Sequence, residues 1–172
     1  MQAGPGCRAH TPVPILAAMF RHLAEGASVP VVAHLDHGYS IEECREAIDN
    51  GFTSVMFDGS KLPLDENIAQ TAEIAALAHA SGVSIEGEIG YVGYDAGAES
   101  SGTDPAEAAR FAAETGVDAM AISIGNVHLQ KNQAATVDMD LLHSIEAVMD
   151  VPLVLHGSSG IPHSKRRELA TE

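Results

Sequence analysis

Five short apolar runs, separated by stretches with helical spacing, constrain this chain more than any other feature. The runs start at residues 29, 52, 83, 117 and 151, at intervals of 23 to 34 residues. Runs that are apolar on both faces are typical of buried parallel strands, and their alternation with helices predicts βα units. The predicted strands are Val29–Asp36, Phe52–Gly59, Val83–Gly90, Val117–Gly125 and Val151–Gly157.

The segments between the runs have recognisable helix ends. Ser40 and Glu43 have the spacing of a capping box before an apolar stripe. Asp104 precedes Pro105 at the start of another helix, where an N-cap residue and a first-turn proline are favoured. The predicted helices cover about Pro14–Glu25, 41–50, Leu64–Ala80, 105–115 and Asp138–Met149.

The fold class follows from where the polar residues fall. No linker or low-complexity tract interrupts residues 1–172, so a single domain is expected. A doubly wound Rossmann sheet would carry Gly-x-Gly-x-x-Gly after its first strand, and the chain has none there. Nearly every chemically capable side chain follows the end of a predicted strand, which is where (β/α)8 TIM barrels place their active sites. The prediction is therefore an α/β TIM barrel, incomplete, with about five clear parallel strands.

Charge and composition exclude several classes of protein. The chain has 24 acidic and 9 basic residues and a formal net charge of −15, which argues against nucleic-acid binding. No apolar run approaches the roughly 18 residues of a membrane span. Two cysteines, Cys7 and Cys44, are too few for a disulfide framework. A cytoplasmic protein without membrane or nucleic-acid partners is expected.

Three histidines stand at predicted strand ends. His37, His128 and His156 would meet at one end of a barrel, and three imidazoles around an open position form a catalytic zinc arrangement. The alternative for each is a core histidine that is hydrogen-bonded to a backbone carbonyl. Three other histidines fall inside predicted helices, where a solvated or packing role is favoured; they are His22, His79 and His143.

Other strand ends carry carboxylates and an anion-binding pattern. Asp36 precedes His37, so in an extended strand the two side chains should diverge. Asp58 and Glu88 could be paired carboxylates, a second cation site or surface groups. The segment 157–160, Gly-Ser-Ser-Gly, offers N–H groups and hydroxyls to a phosphate, and its alternative is a simple loop.

Five segments in order resemble the class II, zinc-dependent ketose-bisphosphate aldolases. They are VPVVAHLDHG, FTSVMFDGSKLP, VSIEGEIGYVG, DAMAISIGNVH and PLVLHGSSG, and the resemblance covers nearly the whole chain. It implies aldol cleavage or condensation of a fructose or tagatose 1,6-bisphosphate to dihydroxyacetone phosphate and glyceraldehyde 3-phosphate. The family also tends toward dimers and tetramers, which implies a homo-oligomer.

The resemblance also implies roles for individual residues. His37, His128 and His156 match the zinc ligands, and Asp36 matches the acid that protonates the aldehyde oxygen. Asp58 and Glu88 match carboxylates that can hold an alternative or second cation. The loop that contacts substrate phosphate and, in some members, a monovalent cation is matched by Gly157, Ser158 and Ser159. A Schiff-base route is disfavoured, because the zinc chemistry needs no Schiff-base lysine and the chain has few lysines; they are Lys61, Lys131 and Lys165.

Four departures from the family pattern accompany the match. An ungapped register puts Ala96 where the mobile-loop glutamate base should be, which leaves Asp95 and Glu99 as candidates. Leu129 follows His128 where a glycine is common. The chain also starts near the family's second strand and stops before its last, whereas a complete barrel needs roughly 200 to 250 residues. A truncated barrel with unpaired sheet edges and apolar helix faces is therefore expected.

Two alternatives to a ketose-bisphosphate aldolase stay open at this point. One is a related aldolase for another phosphorylated sugar, which the altered loop after Glu88 favours. The other is a catalytically silent remnant that binds only metal or partner subunits.

Overall fold

The computed structural model of the chain describes residues 1–94 and 100–170. Its strands are β1 (Gln2–Ala3), β2 (His34–Gly38), β3 (Ser54–Phe57), β4 (Ser84–Ile89), β5 (Gly93–Tyr94), β6 (Ala119–Ile122), β7 (Val127–His128) and β8 (Leu153–Val154). Its helices are α1 (Pro5–Arg8), α2 (Val13–Glu25), α3 (Ile41–Asp49), α4 (Leu64–Ala80), α5 (Pro105–Thr115), α6 (Met139–Glu146) and α7 (His163–Leu169). A short 3-10 turn covers Ser158–Gly160.

Six of the strands form one open parallel sheet. Their order is β1-β2-β3-β4-β6-β8, and β5 pairs with β7 in a separate two-stranded parallel ladder. The predicted α/β fold with a parallel sheet is therefore confirmed. The predicted count of five was one short, because β1 has only two residues, too few to produce an apolar run.

The chain divides into two compact units. The first contains Met1–Gly87 with Glu114–Asp118, and the second contains Glu88–Ala113 with Ala119–Glu172. The core of the first unit includes Leu35, Val55, Met56 and Phe57, none of which is more than 1% exposed. The core of the second includes buried side chains from β6, α5 and α6; they are Phe111, Met120, Ile122 and Ile145. Each unit thus buries apolar strand residues beneath helices.

Two strand boundaries differ from the prediction in ways that affect candidate ligands. β2 starts at His34 and not at Val29, because the ladder partners β1 and β3 start only at Gln2 and Ser54. Val29 is accordingly 66% exposed. β6 ends at Ile122, and the chain turns at Gly125, whose φ is +97°. His128 therefore lies on the separate strand β7 rather than at the end of β6.

Most predicted helix starts are confirmed by their capping contacts. The Ser40 hydroxyl accepts a hydrogen bond from the Glu43 N–H at 3.2 Å, although the Glu43 carboxylate accepts from the Tyr39 N–H rather than from that of Ser40. Asp104 and Asp138 cap α5 and α6 in the same way. α6 ends at Glu146, three residues earlier than predicted, and α1 and α7 were not predicted.

One face of α2 presents apolar side chains to solvent. Ile15, Met19 and Leu23 stand at i, i+4 and i+8 and are 54%, 52% and 57% exposed. Across residues 1–94 and 100–170, no helix combines the length and the apolarity needed to cross a bilayer.

Candidate metal centre

The end of β2 has an irregular backbone at His37. The ladder with β3 passes from Leu35 opposite Val55 to Gly38 opposite Phe57, so two residues of β2 face one residue of β3. His37 adopts φ = +53°, a left-handed conformation that is uncommon for a residue with a Cβ atom. Irregularities of this kind are frequent next to functional sites.

This bulge changes the direction of the Asp36 and His37 side chains. The expectation that they diverge is wrong, since Asp36 Oδ1 lies 3.7 Å from His37 Nε2. In a regular strand consecutive side chains alternate faces, and the left-handed turn at His37 interrupts that alternation. Gly4 leaves room for the carboxylate, because a Cβ atom there would lie 3.0 Å from Asp36 Oδ2.

Asp58, just after β3, accepts hydrogen bonds from His37 and Ser60. Its Oδ2 lies 2.9 Å from His37 Nδ1, and its Oδ1 accepts from the Ser60 hydroxyl at 2.6 Å. Burial alone would raise the pKa of Asp58, but the hydrogen bonds from His37 and Ser60 outweigh it and lower this pKa below its ordinary value. A carboxylate on Nδ1 favours the tautomer whose Nε2 can bind a metal, an arrangement typical of metal-ligating histidines.

His34 forms a separate buried contact in the first unit. Its Nδ1 lies 2.8 Å from Ser54 Oγ, and its Nε2 lies 3.9 Å from a Glu86 carboxylate oxygen. His34 and Glu86 are each 8% exposed. These contacts are those of a hydrogen-bonded core histidine.

The second unit contains the other candidate ligands. The rings of His128, on β7, and His156, two residues after β8, have centroids 5.8 Å apart and planes inclined by 56°. Glu88, on β4, is 1% exposed. Asn126 is fully buried, and its Nδ2 donates to the carbonyl oxygen of His156 at 3.0 Å. Its Oδ1 accepts from the Ile124 N–H, so this one side chain links the turn after β6 to the residue after β8.

The loop after β8 begins with a glycine that no other residue can replace without strain. Gly157 has φ = +68°, and a Cβ atom there would collide with the carbonyl oxygen of Val127. Ser158 and Ser159 start the 3-10 turn and are exposed. Leu129, the residue after His128, also has a positive φ, +56°. This conformation gives a physical reason why glycine is common at that position in the family.

Several residues that contact the candidate ligands were missed by sequence analysis. Asn126 lies inside the quoted IGNVH segment, but no spacing rule singles it out. Arg8 and Gly4 lie outside every motif, and only their contacts with Asp36 and His37 reveal them. The two candidates for the loop base, Asp95 and Glu99, lie outside the described residues, as does Ala96.

Each unit contains side chains with the chemistry of metal ligands. In the first unit they are the imidazole of His37 and the carboxylate of Asp58, and in the second they are the imidazoles of His128 and His156 and the carboxylate of Glu88. Imidazole and carboxylate are the ligands of catalytic zinc, and the Asp58 contact on Nδ1 of His37 fits ligation through its other ring nitrogen. The residues present therefore fit a divalent metal ion.

The fold and these side chains define the chain as α/β, with candidate metal ligands at the ends of parallel strands. Comparison of the sequence with known protein families identifies the family. The chain belongs to the fructose-bisphosphate aldolase class-II family, whose model matches residues 1–172. Class II aldolases are TIM-barrel-like, which agrees with the open parallel sheet of this chain.

Individual relatives carry two different names. A Shouchella clausii protein named 6-phospho-5-dehydro-2-deoxy-D-gluconate aldolase is 51% identical over 140 residues, covering 80% of this chain and 48% of its own length. A Streptococcus pyogenes protein named fructose-bisphosphate aldolase is 45% identical over 147 residues, covering 83% of this chain and 50% of its own length.

A solved structure supports the same relationship. The YdjI aldolase from Escherichia coli K12 superposes with a TM-score of 0.83 at 34% identity, over 96% of this chain and 58% of that one. The chain thus spans about half the length of the relatives that it matches.

Proposed function

We propose that this chain is part of a zinc-dependent aldolase that cleaves or forms a phosphorylated keto-sugar. The observation that best supports the proposal is the hydrogen bond between Asp58 and Nδ1 of His37, which prepares a histidine at a strand end for metal ligation. We propose His37, His128 and His156 as the zinc ligands. A bound zinc ion would act as a Lewis acid on the carbonyl of the substrate.

The chain's own residues would handle the proton and the phosphate. Asp36 is the proposed acid: its carboxyl would give a proton to the aldehyde oxygen in condensation and take it back from the hydroxyl in cleavage. The side chain of Asp36 is 21% exposed, so substrate can reach it. Gly157, Ser158 and Ser159 would hold the phosphate through N–H groups and hydroxyls, and this loop would also bind a monovalent cation. Asp58 and Glu88 are proposed as an alternative or second cation site.

Two substrates are candidates. A ketose 1,6-bisphosphate, which would give dihydroxyacetone phosphate and glyceraldehyde 3-phosphate, is favoured by the family match and the streptococcal relative. 6-Phospho-5-dehydro-2-deoxy-D-gluconate is favoured by the relative from Shouchella clausii, which is 51% identical. A cytoplasmic location and a homo-oligomer remain predictions.

The test combines zinc content with turnover of both substrates. We expect about one tightly held zinc per chain, because three histidines supply one tetrahedral site with an open position. His156→Ala should lose both zinc and cleavage, and His143→Ala, which changes an exposed histidine on α6, should lose neither. Asp36→Ala should retain zinc but lose turnover, by about 100-fold or more for a general acid.

Each alternative has its own outcome in this test. Zinc binding without cleavage of either substrate identifies a silent metal-binding chain. Loss of zinc in Asp36→Ala would mean that Asp36 orients the ligands, and its role as the acid would be wrong. Absence of zinc from a folded, monodisperse sample contradicts the proposal.

A further inference from the structure

A single arginine contacts the backbone where β2 ends. Arg8, the last residue of α1, donates from Nη1 to the carbonyl oxygens of Ala3 at 2.5 Å and Asp36 at 2.7 Å. Its Nη2 donates to the carbonyl oxygen of His37 at 2.8 Å. The Arg8 side chain is only 11% exposed. One guanidinium thus joins the end of β1 to two consecutive residues of the candidate centre.

These carbonyl groups lie where the sheet ladder is interrupted. β1 contributes only Gln2 and Ala3 to its pairing with β2, and the register of β2 with β3 shifts between Leu35 and Gly38. Partly buried carbonyl groups need a donor when the ladder does not supply one. The planar guanidinium presents several N–H donors in a fixed fork, so it can satisfy three carbonyls at once.

The His37 carbonyl belongs to the residue with the left-handed backbone. A residue that has a Cβ atom and φ = +53° stays in that conformation only where contacts with the surrounding structure hold its backbone in place. Arg8 contacts His37 on the backbone side, and Asp58 contacts it on the ring. Arg8 Nη2 also lies 3.4 Å from the Glu43 carboxylate, which connects the guanidinium to α3.

We propose that Arg8 is a positioning residue for the candidate metal centre. By binding the carbonyl oxygens of Asp36 and His37, it holds the bulge that directs the His37 imidazole. Without these bonds the backbone at His37 relaxes toward ordinary φ values, and the imidazole moves away from the position required for ligation. This inference rests on the proposed function for the role of His37 as a ligand.

The test compares Arg8→Gln with Arg21→Gln. Arg21 is a matched control, because its Nη2 also donates to a backbone carbonyl, that of Asn50 at 3.1 Å, at an exposed position. Zinc affinity is measured by competition with a chromophoric chelator. Arg8→Gln should weaken zinc binding by about 10- to 100-fold, the range for residues that orient metal ligands. Arg21→Gln should leave the affinity unchanged.

A second measurement does not depend on metal. In zinc-free protein, ¹H–¹³C NMR signals of the His37 ring, assigned with His37→Gln, should shift in Arg8→Gln and not in Arg21→Gln. The ring signals of His79, on α4, should stay in place in both variants and report an intact fold. If the wild-type chain binds no zinc, the proposed function fails, while the His37 signals still decide whether Arg8 positions the ring.

Substitution by lysine gives a graded comparison. Arg8→Lys keeps the charge but replaces the planar fork by one ammonium group, so its zinc affinity should fall between those of wild type and Arg8→Gln. If Arg8→Gln does not fold, Arg8→Lys is compared with Arg21→Lys in the same two measurements. Unchanged His37 ring signals in a folded Arg8 variant, or an equal loss of affinity in the Arg21 control, would overturn the inference.

Discussion

Replacing Asp58 by Asn measures what the carboxylate contributes to the histidine that it contacts. The Asp58 side chain is 10% exposed. One carboxylate oxygen accepts a hydrogen bond from His37 and the other accepts one from Ser60. Asn retains a single acceptor oxygen, so either His37 Nδ1 or Ser60 must lose its acceptor. Losing a hydrogen bond to a charged group destabilises a folded protein by about 1.5 to 3 kcal/mol.

The expected effect on zinc binding follows from this loss of orientation. We expect the affinity of Asp58→Asn to be weaker by about 10- to 100-fold, which corresponds to about 1.4 to 2.8 kcal/mol of binding free energy. The assay is titration of metal-free protein with zinc against a chromophoric competitor. Asp118→Asn is the control, because Asp118 accepts from His79 Nε2 at 3.0 Å in an exposed pair that includes no candidate ligand.

Two results would refute this reasoning. Equal affinity of Asp58→Asn and wild type would mean that the hydrogen bond does not orient His37 for ligation. A smaller number of zinc ions per chain, with unchanged affinity of those that remain, would identify Asp58 as a direct ligand of a second ion.

Three further predictions concern single residues. Burial raises the pKa of the Cys44 thiol from 9.0 to about 12, so at pH 8 a thiol reagent should modify Cys7 rapidly and Cys44 only after unfolding. Rapid modification of both thiols in the native protein contradicts this. Leu129→Gly should be about 0.5 to 1 kcal/mol more stable than Leu129→Ala in urea unfolding, since only glycine relieves the positive φ; equal stabilities would count against strain there. Gly157→Ala should destabilise more than Gly82→Ala, by at least about 1 kcal/mol, because both have positive φ but only at Gly157 does the Cβ collide with a carbonyl; equal losses in thermal unfolding would disprove that collision.

Local patterns in the sequence were sufficient for the longer helices and strands and for the candidate ligands. Apolar runs bounded by glycine identify buried strands because burial on both faces leaves no polar position, and helix caps depend on residues only two or three apart. The helix Leu64–Ala80 was predicted with its observed ends from its Ala-rich amphipathic pattern and the glycine at position 82, and the aldolase family was recognised from contiguous segments such as VPVVAHLDHG. The short strand β1 was not predicted, because two residues are too few to show a periodic pattern.

The surroundings of His37 were decided only by the tertiary structure. Alternation along an extended strand predicted that Asp36 and His37 diverge, but the register of β2 against β3 shifts there and brings the two side chains together. Asp58 is 21 residues from His37 in sequence, and Arg8 is 29 residues away. No local pattern encodes such contacts, because they depend on strand pairing and helix packing between distant segments. The sequence alone therefore determined which residues are candidate metal ligands, while packing determined how His37 is held.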